Sequence, residues 1–231
     1  MNMISGDLKI FSANFFEIPE FSEIRNLPQF GYYHVMTVDL HSLRTMEVIN
    51  EISQGVHDRQ WPLLRKVFET IQCPDRLFLA ALLHDIAKGD QRDHAEKGGQ
   101  IIIRVLQRLG VTGEALEVIP FLVRHHLLLA NVSQRRDLSD EKTSVQVAQA
   151  IQDKQRLKML FLLTVADSFA TGPMARSDWK IVLLTELFVK VRRILERGLL
   201  ASPNATQEIT GKKEALLEAL RPEFPVGEVL K

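Results

Sequence analysis

Several histidines of this chain stand beside aspartates or inside apolar runs, where a titratable side chain is out of place. His41 sits in VDLHSL, the pair His84–Asp85 in ALLHDIAKG, His94 in RDHAEKGG, the doublet His125–His126 in VRHHLLL and Asp167 in LLTVADSFA. Imidazole and carboxylate together suit Zn²⁺, Mn²⁺, Fe²⁺ or a similar divalent ion. A lone buried carboxylate is costly unless it is paired or binds a cation. Asp167, in a run that is otherwise uncharged, and Asp85, flanked by LFLAALL and IA, both face that cost. Grouped around a cation, two such aspartates and several histidines relieve one another's desolvation. Singly, each has a plainer reading. A lone histidine on an apolar helix is most often a hydrogen-bonded core residue, and Asp167 could cap a helix or pair with Arg176. His57, in the polar stretch SQGVHDRQW, reads as solvated, and His34 as a core or supporting residue. The combination is what points to a metal centre.

Lys88 lies four residues after His84, one helical turn on and on the same face. Its ammonium could hold a phosphate oxygen and stabilise a pentacoordinate transition state; the plainer role is to complement the helix dipole. Arg124, Arg135 and Arg136 are candidates for orienting phosphate or a partner protein, although QRRDLSDE otherwise reads as a solvated loop. The single cysteine, Cys73, has no internal partner and points to a reducing compartment. A structural zinc site would favour cysteine ligands, which the chain lacks.

Lys plus Arg equals Asp plus Glu at 29 each, which gives no long-range pull towards nucleic acid or anionic lipid. Phosphate binding must therefore come from a local site. The N-terminal residues do not read as a signal peptide, no apolar stretch is expected to span a membrane, and a cytoplasmic protein is the expectation.

The elements that must position these residues read as helices. Apolar residues recur at helical spacing and strand signals are scarce, so an all-α bundle is expected, with ligands converging from separate helices. Asp39 can cap a helix running to about Val56, and Pro62 and Pro74 bracket another around Leu63–Thr70. Asp75 opens a helix through His84–Asp85 that stops at Gly89, a C-terminal glycine. Asp93 and Glu96 form a capping box for a helix ending near Gly110. Glu114 to Leu129 reads as one helix kinked at Pro120. Ser139 or Asp140 opens a helix to Ile151, Asp153 one to Gly172–Pro173, and Ser177 one ending in RRILERG. Gln207 to Leu220 reads as a last amphipathic helix. The expected division is a lead-in over 1–20, one helical domain over 21–200 and a C-terminal extension over 201–231.

The order His…His-Asp…Asp resembles the HD superfamily of metal-dependent phosphohydrolases, and LLHDIAKG is similar to that family's central motif. TVDLHSLR, AALLHDIAKG, DHAEKGG, FLVRHHLLLANVSQRRDLSDE and LLTVADSFATGP followed by WK resemble in particular the uridylyl-removing HD domains of bifunctional PII uridylyltransferases. The likeness spans about Phe21 to Lys190. No Gly-Ser motif with an Asp-x-Asp pair and no βαββαβ pattern accompany it, so uridylyl transfer is not expected of this chain.

The resemblance implies that His41, His84, Asp85 and Asp167 hold one divalent ion, with Mn, Fe, Mg, Zn and Ni all open. It implies that His94, His125 and His126 match positions for a second ion, with Asp85 bridging. The two rings of the doublet cannot share one helix face, and His125 is slightly preferred as the ligand. The expected function is hydrolysis of a phosphate ester by a metal-activated water, with Asp85 and Lys88 as its catalytic groups. The resemblance narrows this to release of UMP from a uridylylated PII-type signal protein. A small-nucleotide phosphodiesterase or nucleotidase, and a regulatory module that binds nucleotide or protein without turnover, are the alternatives. A homodimer is compatible with all three.

Overall fold

The computed structural model describes residues 18–28, 36–89, 94–172 and 177–197, and, of His94, the backbone only. Among these residues every regular element is a helix: α1 (Pro19–Ser22), α2 (Val38–Ser53), α3 (Pro62–Phe68), α4 (Pro74–Leu83), α5 (His94–Arg108), α6 (Ala115–His125), α7 (Leu128–Arg135), α8 (Glu141–Ile151), α9 (Lys154–Thr171) and α10 (Asp178–Glu196). The all-α architecture that the periodicity predicts is the one that forms.

α9 is the axis. Asp153 caps it, accepting from the Arg156 backbone N–H at 2.7 Å. Beyond its first turn, Leu157 and every residue from Met159 to Ala166 are buried, so the helix is apolar on all sides. α2, α3, α4, α6 and α10 pack around it. α10 lies against α7, α8 and α9, where Phe188 stacks on Phe161 with ring centroids 4.3 Å apart. α5 packs on α6 through Gly98 and Gly99. A Cβ at Gly98 would stand 3.2 Å from Val123 Cγ1, and one at Gly99 3.2 Å from Arg124 Cβ. Two side chains are missing there so that two helices can approach closely.

Several boundaries differ from the sequence reading. Thr37 is the N-cap of α2, which leaves Asp39 in the first turn, where a negative charge suits the dipole, and α2 stops at Ser53. α4 stops at Leu83, just before the His-Asp pair, and 84–89 continue as tighter turns with Ile86 N donating to Leu83 O and Lys88 N to Asp85 O. Gly89 is not left-handed and does not end the helix. The run expected as one helix to Leu129 is two, broken at His126–Leu127 and not at Pro120. Taken together, 115–135 is apolar and long enough, at 21 residues, to cross a membrane by length and composition, contrary to expectation. In the fold it packs on α4, α5, α9 and α10, which accounts for its apolar character. His34, Asp93, Arg176 and the expected helix over 207–220 lie outside the described residues.

Candidate metal centre

The centre is built by helix ends. His84 is the C-cap of α4 and His126 the C-cap of α6. The last carbonyls of a helix lack intrahelical partners. In both helices the capping imidazole meets that need: His84 Nδ1 donates to Ala81 O at 2.7 Å and His126 Nδ1 to Val123 O at 2.6 Å. A carbonyl can only accept, so the proton sits on Nδ1 and each Nε2 keeps its lone pair. This is how a backbone group selects the tautomer of a metal-binding imidazole.

The Nε2 atoms converge with two carboxylates. α2 brings His41, whose Nε2 lies 2.9 Å from Asp167 Oδ1 on α9 and 3.9 Å from Asp85 Oδ2. His84 Nε2 lies 3.4 Å from Asp85 Oδ2 and 3.9 Å from Asp167 Oδ1. His41, His84, Asp85 and His126 are each at most 2% exposed. The Asp167 side chain is 22% exposed, which places it at the border of a cleft. Buried His84 Nε2 has no hydrogen-bond partner, a costly state for a lone pair unless something else takes it up. The ligand atoms of His41, His84 and Asp167 all lie within 4.8 Å of one another, so a single divalent ion could bind all three, with Asp85 alongside. The donor set of imidazole nitrogen and carboxylate oxygen fits such an ion.

The two oxygens of Asp85 face different neighbours. Oδ2 faces His41, His84 and Lys88, while Oδ1 lies 3.8 Å from His126 Nε2. Lys88 Nζ is 2.6 Å from Oδ2. Burial pushes the Asp85 carboxyl upward, but His84, Lys88 and His126 outweigh it and hold the group well below the usual carboxylate range. Burial likewise opposes Asp167, yet the His41 hydrogen bond and the neighbouring imidazoles of His84 and His41 bring it down to about 2. His126 is pushed down to about 4, first by burial and then by His84. At neutral pH the cluster therefore offers two carboxylates and an uncharged His126.

The sequence candidates divide as follows. His41, His84, Asp85, His126 and Asp167 come together, and Lys88 reaches them. Of the doublet it is His126 that faces the cluster, reversing the slight preference for His125. The half-buried His125 ring packs 4.5 Å from Phe121, on the other side of the same turn. The side chain of His94 lies outside the described residues. Arg124 pairs with Glu96 at 3.0 Å, and Arg135 and Arg136 are exposed; none of the three borders the cleft. His57 is not solvated. It is half-buried, with Nε2 3.0 Å from Glu51 and its ring against Phe169.

The cleft beside the cluster has a volume of about 330 Å³. Asp85, Lys88, His126 and Asp167 line it, together with residues of α7 and α10, among them Ser133, Gln134, Lys180, Ile181 and Leu184. Sequence reasoning assigned no role to these residues of α7 and α10. On an amphipathic helix, Gln134 and Lys180 look like ordinary surface residues, and nothing local marks the face that meets the metal cluster.

Residues 38–171, more than half of the chain, match the family model of the HD domain. Domains of that family bind divalent metals and are in general metal-dependent phosphohydrolases.

Proposed function

The chain belongs to the HD-domain family, and on that premise we propose that it hydrolyses a phosphodiester of a nucleoside monophosphate, UMP joined to a tyrosine of a PII-type signal protein being the leading substrate. The observation that carries the hydrolytic reading is the buried, unpartnered His84 Nε2, set among His41, Asp85 and Asp167 at the wall of a cleft that also holds Lys88. The cleft volume suits a mononucleotide and leaves the remainder of a larger substrate outside.

His41, His84, Asp85 and Asp167 would hold the divalent ion, which supplies a water of lowered pKa and draws charge from the phosphate. The Nδ1 bonds of His84 and His126 keep both rings fixed, so the site is preorganised before substrate arrives. Lys88, bonded to Asp85 and 27% exposed, can turn its ammonium to a non-bridging phosphate oxygen. In the net reaction the water oxygen bonds to phosphorus and the phosphorus–oxygen bond to tyrosine breaks. One water proton ends on the tyrosine oxygen, and UMP leaves. The placing of Asp85 Oδ1 towards His126 supports a second ion on that side.

The test is hydrolysis of bis(p-nitrophenyl) phosphate and of a uridylylated-tyrosine peptide, with Mn²⁺ and with chelator. Metal-dependent release of nitrophenol and of UMP is expected. Turnover of free nucleotides but not of the peptide would replace the UMP-tyrosine assignment by a small-nucleotide phosphodiesterase. Binding without turnover of any ester would sink the hydrolytic reading.

A further inference from the structure

We propose that Lys180, on a helix beyond the residues matching the HD domain, is a substrate-binding residue that shares the cleft with Lys88 and holds the phosphate together with it. The inference rests on the phosphohydrolase reading above.

The first argument is placement. Lys180 lies in the first turn of α10 and lines the same cleft as Asp85, Lys88 and Asp167. The start of α10 is anchored, with Asp178 Oδ2 accepting from Gln60 Nε2 at 2.9 Å. Ile181 and Leu184, almost fully buried, fix the face that α10 turns to the cleft. A cation in the first turn of a helix opposes the macrodipole.

The second argument is charge. Asp85 and Asp167 bring two negative charges to the cleft wall, and Lys88 and Lys180 bring two positive ones. One divalent ion then leaves the wall two charges positive. Hydroxide attacking a phosphodiester monoanion develops two negative charges, so the balance closes with a single ion. Without Lys180 it falls one short. A second ion is one way to supply that charge, and Lys180 is another that the fold already provides.

The experiment compares the full-length Mn²⁺-loaded protein with Lys180→Ala and Lys180→Arg. It measures UMP binding by calorimetry, KM and kcat on bis(p-nitrophenyl) phosphate, metal content and Tm. Lys180→Ala should weaken UMP binding and raise KM by about tenfold or more, the scale of one hydrogen bond to a charged group, with metal content and Tm unchanged. Lys180→Arg should recover most of the loss. Unchanged UMP binding and KM in Lys180→Ala, with an active wild type, would overturn the assignment and leave the hydrolase standing. A drop in Tm or metal that Lys180→Arg does not recover would reduce Lys180 to a structural residue. A wild type that hydrolyses no ester, yet binds UMP in a Lys180-dependent way, would overturn the hydrolytic reading and uphold the phosphate subsite.

Discussion

His84 and His126 hold the same post on two different helices. Each is the residue just past the last α-helical turn, each donates Nδ1 to the carbonyl three residues back, and their rings meet edge to face with centroids 5.2 Å apart. The imidazole thus completes the helix end and aims a lone pair at Asp85. In both helices the ring–carbonyl bond coincides with the end of the α-helical turns.

Asp85 should be the residue the metal cannot spare. Asp85→Ala removes the carboxylate between His84 and His126 and is expected to lose bound metal and phosphodiesterase activity together while staying folded. Elemental analysis with a circular dichroism spectrum checks it; full metal content in a folded variant would refute the assignment.

Lys88 should act in two ways. Because an ammonium has no lone pair for a metal, Lys88→Ala should keep the metal and slow hydrolysis by about 10²–10³-fold, the scale of one lost transition-state donor. The 2.6 Å contact with Asp85 adds a second effect. In chelator-treated protein the variant strips a buried carboxylate of a counter-charge and should cost about 2 kcal/mol or more of stability, regained when Mn²⁺ is added. Denaturation curves with and without metal separate the two. A stability loss that metal does not reverse would argue against Asp85 as the metal's carboxylate.

The two members of the doublet should behave differently. His126→Ala is expected to lower metal stoichiometry or affinity, whereas His125→Ala, which removes a ring packed on Phe121, should leave metal content unchanged. The opposite result in a metal titration would restore the preference for His125.

The metal-free protein should lose stability on mild acidification. His126 is held at about 4 when folded, against about 6.5 for a free imidazole. A lowered histidine pKa means that the unfolded chain binds the proton more readily. Stability from this group is therefore full above about pH 6.5 and declines as pH falls towards 4, by up to about 3 kcal/mol. Asp167, lowered to about 2, adds loss only below its ordinary range near 3.9. Unfolding midpoints of chelator-treated wild type and His126→Gln from pH 4 to 7 test this. The variant should show a flatter profile, and an identical slope would exclude His126 as the source.

Gly98 should tolerate no large side chain. Its Cα faces Val123, with Ala87 and Ile86 of the His-Asp turn just beyond. Gly98→Val is expected to cost about 1–3 kcal/mol by overpacking and to lower metal affinity by displacing that turn. Wild-type Tm and affinity would show that α5 and α6 have slack.

The sequence alone determined the helical class, because an apolar repeat of about 3.6 residues is a local property. It also marked the chemically anomalous residues, since a charged side chain in an apolar run needs a partner wherever the run is packed. Asp85 and Asp167 were legible in this way, His41 and His84 through their combination with them and Lys88 through its place one turn after His84, while the cap candidates Asp140 and Asp153 do accept from backbone N–H groups two or three residues on. Tertiary structure decided what depends on direction. Which ring of His125–His126 turns inward follows from where α6 ends, and that end is set by packing and by the Val123 carbonyl, not by Pro120. Arg124 has the same composition signal as a phosphate ligand, but its helix face points to Glu96. Lys180 entered the sequence reading only within the WK that follows LLTVADSFATGP, and that it lines one cleft with Asp85 and Lys88 is decided by where α10 packs. Side-chain periodicity tells which residues share a face; only the packing of one helix on another tells what that face meets.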